Sequence, residues 1–166
     1  MPGTVDILSK APYPVCDLSN FAAHRFVLDG MEIGSMEGFL QSLKFRSRKR
    51  QVKVRLLSGK AAKKAGHFTW RWRLLKRLYY GGKRVDRFGA EYAELITRAY
   101  DAMAESNPQF VANLLSLRGC TLAHSIGKSD KRETVLTVEE FLGQLYRLQR
   151  KYAAETAKAD TAPDVS

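Results

Sequence analysis

Glu37, Gln41 and Lys44 follow one another at intervals of four and three residues, and on an α-helix that spacing lines them up along one stripe. A pocket opening onto the stripe would meet an anion, an amide and a cation together. Glu37 falls in the first turn of an otherwise apolar helix, where free backbone amides and the helix dipole favour the ionised carboxylate. A carboxylate held in that form suits a nucleophile, a base or a stabiliser of positive charge better than a general acid. The same spacing also describes ordinary helix electrostatics, a first-turn glutamate followed by a lysine, and residue types alone leave both readings open.

Familiar catalytic signatures are absent. There is no GxSxG, HExxH, phosphate-loop glycine-lysine motif or GxGxxG, so the common hydrolase, metal and dinucleotide-fold readings have no support. Cys16 and Cys120 lie far apart, without a CxxC or a matching histidine cluster, which predicts two buried free thiols and neither a disulfide framework nor a metal site. Charge says more. Of the 28 lysines and arginines, 17 lie between Lys44 and Arg87 against a single acid, Asp86, so this stretch carries +16 in a chain of net charge +11. A field of that density concentrates phosphate-bearing partners, whether nucleotide, dinucleotide or nucleic acid, although a merely solvated helix surface would use the same residues.

The elements that must position these groups can be read in part. At 166 residues the chain predicts one domain, residues 1–152, and a flexible tail, 153–166. No apolar run is long enough to span a membrane and no secretory signal precedes the first elements, so a cytoplasmic protein is expected. After an irregular opening, Arg25 to Leu28 and Met31 to Ile33 flank Asp29-Gly30 as a hairpin. Ser35 then caps a half-buried helix with Met36, Phe39, Leu40 and Leu43 on its apolar side. A weaker pattern at Val52 and Leu56 precedes a short helix from Ser58 to Ala65 closed by Gly66, and the stretch from His67 to Arg84 has no clear period. Phe88 to Ser106 is the clearest amphipathic helix, stopped by Asn107-Pro108. A short helix before Gly119, a strand within Cys120 to Ile126, a loop to Asp130 and a last helix boxed by Thr137 and Glu140 complete a mainly helical α+β fold with a few short strands.

Leu18 to Phe45 resembles the N-terminal signature of the NADAR family, named for its link to NAD and ADP-ribose. The match comprises Ser19-Asn20-Phe21, the Asp29-Gly30 turn, the capped helix opening at Glu37, and Gln41 through Lys44-Phe45, in order and spacing. The chain resembles a divergent branch of it. Ile33-Gly34 and Gly38 stand where the family carries tryptophan-proline and histidine, and His124 to Asp130 replaces its Trp-Gly-x-Gly stretch.

The resemblance implies an N-glycosidase that hydrolyses a ribosyl C–N bond without a cofactor, removing ADP-ribose from a modified base such as guanine in nucleic acid, or cleaving a related ribosyl nucleotide. Such reactions pass through an oxocarbenium-like sugar, which a fixed carboxylate stabilises, and Glu37 takes that role. Asn20, Phe21, Gln41 and Phe45 would then line the substrate site. Trp70 and Trp72 are stacking candidates, Lys44 and Arg71 phosphate ligands, and His124, Lys128 and Asp130 assistants to the leaving group, water or ribose. The partner is an ADP-ribose-containing nucleotide or ADP-ribosylated nucleic acid, the latter held through the 44–87 stretch. Two other classes stay open: a non-catalytic NAD or ADP-ribose binding module, and a basic nucleic-acid-binding protein.

Overall fold

In the computed structural model, which describes residues 3–67 and 69–161, the opening segment is not irregular throughout. Thr4–Asp6 form a strand, β1, that pairs in parallel with β6 (Thr121–Ala123), Val5 standing opposite Leu122. Parallel partners need a long crossover and carry no local turn signal, so β1 was invisible to periodicity. β2 (Phe26–Leu28) and β3 (Met31–Ile33) form the expected hairpin, with φ of 49° at Asp29 and 76° at Gly30, the two left-handed residues of a type I′ turn.

Helix α1 (Met36–Ser42) begins at Ser35, whose Oγ accepts from the Gly38 amide at 2.9 Å. The basic stretch becomes α2 (Arg48–Arg55) and α3 (Gly59–His67), and α3 runs on through Gly66 rather than closing there. The stretch without a period resolves into a short helix, α4 (Trp70–Leu75), and a second hairpin, β4 (Arg77–Tyr80) and β5 (Lys83–Asp86), turning at Gly81-Gly82. α5 (Ala90–Ser106), α6 (Pro108–Ser116) and α7 (Val138–Thr161) follow. Thr137 and Glu140 form the expected capping box: the Thr137 amide donates to Glu140 Oε2 at 2.8 Å and the Glu140 amide to Thr137 Oγ1 at 3.1 Å.

α5 runs through the middle, packed against β2, β5, α1, α6 and α7. The apolar faces of the predicted helices meet in one core: Met36, Phe39, Leu40, Tyr92, Ile96, Met103, Leu114, Phe141 and Leu145 all belong to it. The fold is thus the α+β, mainly helical one expected. Two details differ. Cys16 and Cys120 are free but only half-buried, and α7 continues to Thr161 where a tail from residue 153 was expected. Its last turns are exposed and rich in alanine, a residue that holds a helix by propensity alone. Residues 162–166 of that tail lie outside the described residues. Among the described residues no helix is long and apolar enough to cross a membrane.

Arg87, counted above with the basic stretch, does not face solvent. It is 2% exposed and makes a bidentate pair with Glu140, at 2.9 Å and 2.6 Å, while its Nε donates to the Thr134 carbonyl at 3.1 Å and its guanidinium lies over the Tyr92 ring. The pair ties the end of β5 to the start of α7. Removing one partner of a buried pair strands the other charge, at a cost of about 3–5 kcal/mol. Glu140→Ala should fall near the lower end, since the Glu140 side chain keeps 26% exposure. Urea unfolding of Glu140→Ala should therefore show a loss near 3 kcal/mol; a loss below about 1 kcal/mol would mean that the pair is not structural.

Candidate active site

The sequence pattern predicts a half-buried α1 with a polar side, yet every residue of α1 is buried. Glycines explain the difference. A Cβ on Gly34 would stand 2.3 Å from the Leu56 carbonyl oxygen, and one on Gly38 2.4 Å from that of Leu57. Their absence lets the α2–α3 connection close over the helix, where Ser35 Oγ donates to the Leu57 carbonyl at 2.8 Å and the Gly34 amide to that of Arg55 at 2.8 Å. On another side α3 comes close at Gly66, where a Cβ would meet Gln41 Oε1 at 1.8 Å. The polar stripe of Glu37 and Gln41 is consequently interior.

Inside it, Gln41 Nε2 donates to Glu37 Oε1 at 2.8 Å, and the Glu37 amide donates to the Asn20 carbonyl at 2.9 Å. Glu37 is 8% exposed. Burial raises its carboxyl above the ordinary glutamate value, against the hydrogen bond from Gln41 and the charges of Lys63, Lys44 and His124. The expectation that the helix terminus would decide in favour of the anion is thereby corrected: desolvation is the larger effect. Lys44 is affected in the opposite sense. Burial lowers its ammonium to about 8 although Glu37 pulls it up, and its Nζ donates to the Gly66 carbonyl at 3.4 Å. Gln41 Oε1 is a buried acceptor with no hydrogen-bond partner among the described residues. Such an atom costs stability unless a donor reaches it, which is a common mark of a site that binds something.

Lys44 joins this interior pair to an open cleft of about 670 Å³ between the α1–α2 turn and the start of α4. Lys44, Phe45, Arg46, Ser47 and Arg50 form one wall, and Ala65, Thr69, Trp70 and Arg71 the other. Glu37 is not on the cleft wall; it is linked to the cleft through Lys44. The chemistry available is that of a desolvated carboxylate with an amide and two lysines within electrostatic reach, beside a cationic cleft with aromatic surface. Among the described residues no three His, Cys, Asp or Glu side chains come together in a way that would hold a metal ion.

The predicted residues divide into three groups. Asn20, Glu37, Gln41 and Lys44 come together, with Phe21 alongside: Lys63, which acts on Glu37, has its Nζ 5.7 Å from the Phe21 ring centre. Phe45, Trp70 and Arg71 share the outer cleft with Lys44. The rest are elsewhere or otherwise engaged. Trp72 is 5% exposed in the core, because on α4 a residue two positions from the exposed Trp70 faces the opposite way. Asp130 is bound to Arg132 at 2.9 Å, which holds its carboxyl below the ordinary value, so it is no proton donor for a leaving group. Lys128 is exposed and 3.8 Å from Glu133. His124 is close enough to act on the Glu37 charge, and its Nδ1 donates to the Ile7 carbonyl at 2.7 Å.

Two contributors were missed. Lys63 is one of three lysines on α3, a helix whose buried face is made of Ala62 and Gly66, and nothing in its spacing sets it apart from the other two. Tyr100 had a signal, a hydroxyl-bearing residue on the buried stripe of α5; it donates to Asn20 Oδ1 at 2.7 Å and fixes the segment against which Glu37 rests.

Comparison with known proteins adds lineage and fold. The model of the family described as Bacteriophage protein GP30.3 matches residues 12–150. A 17.1 kDa protein from the Gp30-rIII intergenic region of Enterobacteria phage T4 is 37% identical over 146 residues, covering 87% of this chain and 96% of its own. The solution structure of the E. coli protein YbiA superimposes with a TM-score of 0.64 at 18% identity, over 100% of this chain and 94% of that one. At that identity the likeness is one of fold.

The depressed Lys44 makes the site testable without a substrate. Folded, Lys44 releases its proton at about 8, whereas a free lysine does so near 10.5. Between those values unfolding takes up a proton, so raising the pH stabilises the fold. Wild type should gain stability relative to Lys44→Met from pH 8 upward, by up to about 3 kcal/mol, in chemical unfolding at a series of pH values. Parallel pH profiles for the two proteins would show that Lys44 titrates as an ordinary exposed lysine.

Proposed function

The chain belongs to the Bacteriophage protein GP30.3 family, and from the site around Glu37 we propose that it is an N-glycosidase that hydrolyses a ribosyl C–N bond, with ADP-ribose on a modified base as the substrate. The observation that carries the reading is the Glu37 carboxylate, buried and held by Gln41 at 2.8 Å, with Lys44 and Lys63 within electrostatic reach. The fold likeness to YbiA, a member of the NADAR family, and the matching residues from Asn20 to Phe45 support it.

In the reaction the C–N bond at the anomeric carbon breaks and its electron pair leaves with the base. Positive charge develops on the ribose, and Glu37 stabilises it while taking a proton from the attacking water. Burial raises Glu37 and so makes it a stronger base than a free glutamate once ionised. Gln41 holds one oxygen in place. The departing nitrogen needs a proton, and Lys44, at about 8, is charged at neutral pH and a better acid than a free lysine. Phe21, with Lys63 beside it, offers a planar surface near Glu37, and the cleft cations receive the phosphates.

A second reading, an ADP-ribose binding module without turnover, draws on the position of Glu37 off the cleft wall. One experiment separates them. Glu37→Gln keeps the shape and the contact with Gln41 but removes the charge, so single-turnover release of ADP-ribose from an ADP-ribosylated guanine oligonucleotide should slow by about a hundredfold or more, a barrier rise of about 3–4 kcal/mol. Its melting temperature should not fall, because the fold disfavours the ionised form that the variant lacks. The acid limb of the wild-type pH–rate profile should lie above the ordinary glutamate value. A folded Glu37→Gln protein with wild-type rate removes Glu37 from the mechanism; a wild type that binds ADP-ribose without releasing it establishes the binding module.

A further inference from the structure

The ion pairs of the described residues are unevenly distributed. Arg87, Arg98, Lys128, Lys131, Arg132, Arg147 and Lys151 each make a direct ion pair with a carboxylate, whereas among the described residues none of the lysines and arginines from Lys44 to Arg84 does, Lys44 and Lys63 acting on Glu37 only at longer range. A face of unneutralised cations repels itself and is stabilised by an anionic partner. The charge also exceeds what one nucleotide needs. A diphosphate brings about two charges, while the cleft alone presents Lys44, Arg46, Arg50 and Arg71, and the exposed Lys49, Lys53, Lys60 and Lys64 extend the field along α2 and α3.

On the cleft wall Trp70 is 55% exposed, and the Arg71 guanidinium lies 4.8 Å from its ring centre. Leu74, one turn further along α4, is 75% exposed. An arginine-backed indole beside a cationic concavity suits a flat base whose faces are free. In a duplex the bases are already stacked on one another; in a single strand they are not.

We propose that the cleft between α2 and α4 is a binding site for single-stranded nucleic acid, with an unpaired base stacked on Trp70 and backbone phosphates on Arg46, Arg50 and Arg71. This goes beyond the glycosidase reading, since the site holds an unmodified strand and requires no reaction at Glu37.

The test uses the whole chain and short unmodified oligonucleotides, which carry no scissile ADP-ribosyl bond, so its outcome is independent of turnover. Fluorescence anisotropy compares a labelled DNA strand, the RNA strand of the same sequence and the DNA duplex over a salt series. Either strand should bind more tightly than the duplex, and the difference between DNA and RNA identifies which sugar the cleft prefers. With three or four phosphates contacted, affinity should fall roughly twentyfold to fiftyfold between about 50 and about 200 mM salt. Trp70→Ala should bind roughly fivefold to a hundredfold more weakly with its salt dependence unchanged. Arg50→Ala should reduce the logarithmic salt slope by about 0.7, and Arg118→Ala, an exposed cation outside the face, should change neither. Trp70 is exposed, so an unchanged circular dichroism spectrum shows that its variant is folded. Absence of strand binding, a flat salt response, or a duplex bound as tightly as the strand with Trp70→Ala unaffected each overturns the proposal.

Discussion

The site depends on a carboxylate kept in an interior that does not favour it. Glu37 is enclosed because the backbone of the α2–α3 connection approaches that of α1 more closely than a side chain would allow at Gly34 and Gly38, while α3 lies against the Gln41 side chain at Gly66. Close approach removes water, and removal of water raises the Glu37 carboxyl. What offsets the cost is local: one hydrogen bond from Gln41, a first-turn position, and lysines held nearby. Asn20 takes part through its backbone, accepting from the Glu37 amide, and is itself pinned by Tyr100 from the central helix. The packing of α5 against α1 and the hairpins is thereby part of the site's geometry and not only of its stability.

Lys44 marks the boundary between two electrostatic regimes. Inward of it, charges are few and desolvated, and their protonation responds to one another: Glu37 raises Lys44 while Lys44 lowers Glu37. Outward of it, arginines and lysines stand in water without carboxylate partners. Among the described residues the direct ion pairs lie outside Lys44 to Arg84: Arg147 and Lys151 on α7 pair with Asp101 on α5, Arg98 with Asp29, and Arg87 with Glu140. Paired charges and the unpaired cationic field are separated along the sequence, so the net charge is concentrated rather than dispersed.

This separation governs what could be read from residue types. The Asp29-Gly30 turn, the Ser35 cap, the period of α5 and the Thr137–Glu140 box are local rules, and each formed as expected. Glu37, Gln41 and Lys44 were legible as a group because one helix carries the first two and its last turn leads into the third. The enclosure of that helix was not, since it arises from glycines whose meaning lies in which backbone they meet. Trp70 and Trp72 show the same limit. As neighbours in an aromatic, basic run they were equivalent candidates, yet on α4 they point about 200° apart, one into the core and one onto the cleft. Arg87 was indistinguishable from the other cations until Glu140, far along the chain, was seen to lie against it.

Desolvation has a further consequence for a reaction that develops positive charge. In water a carboxylate and a growing oxocarbenium ion attract weakly, because solvent screens both; in a low-dielectric interior the same pair attracts several times more strongly. The resting site carries the cost of this as a raised Glu37 and a lowered Lys44, each pushed toward neutrality by the same burial. In the proposed reaction a cationic sugar at the anomeric carbon would supply Glu37 with the partner that Gln41 and the lysines only partly replace, so the carboxylate would be better accommodated in the transition state than at rest. Lys44, conversely, would be relieved in that reaction by losing its proton to the departing base. Both changes would run downhill in the direction of the proposed bond cleavage, and both would follow from the enclosure of α1 by backbone that only glycine admits.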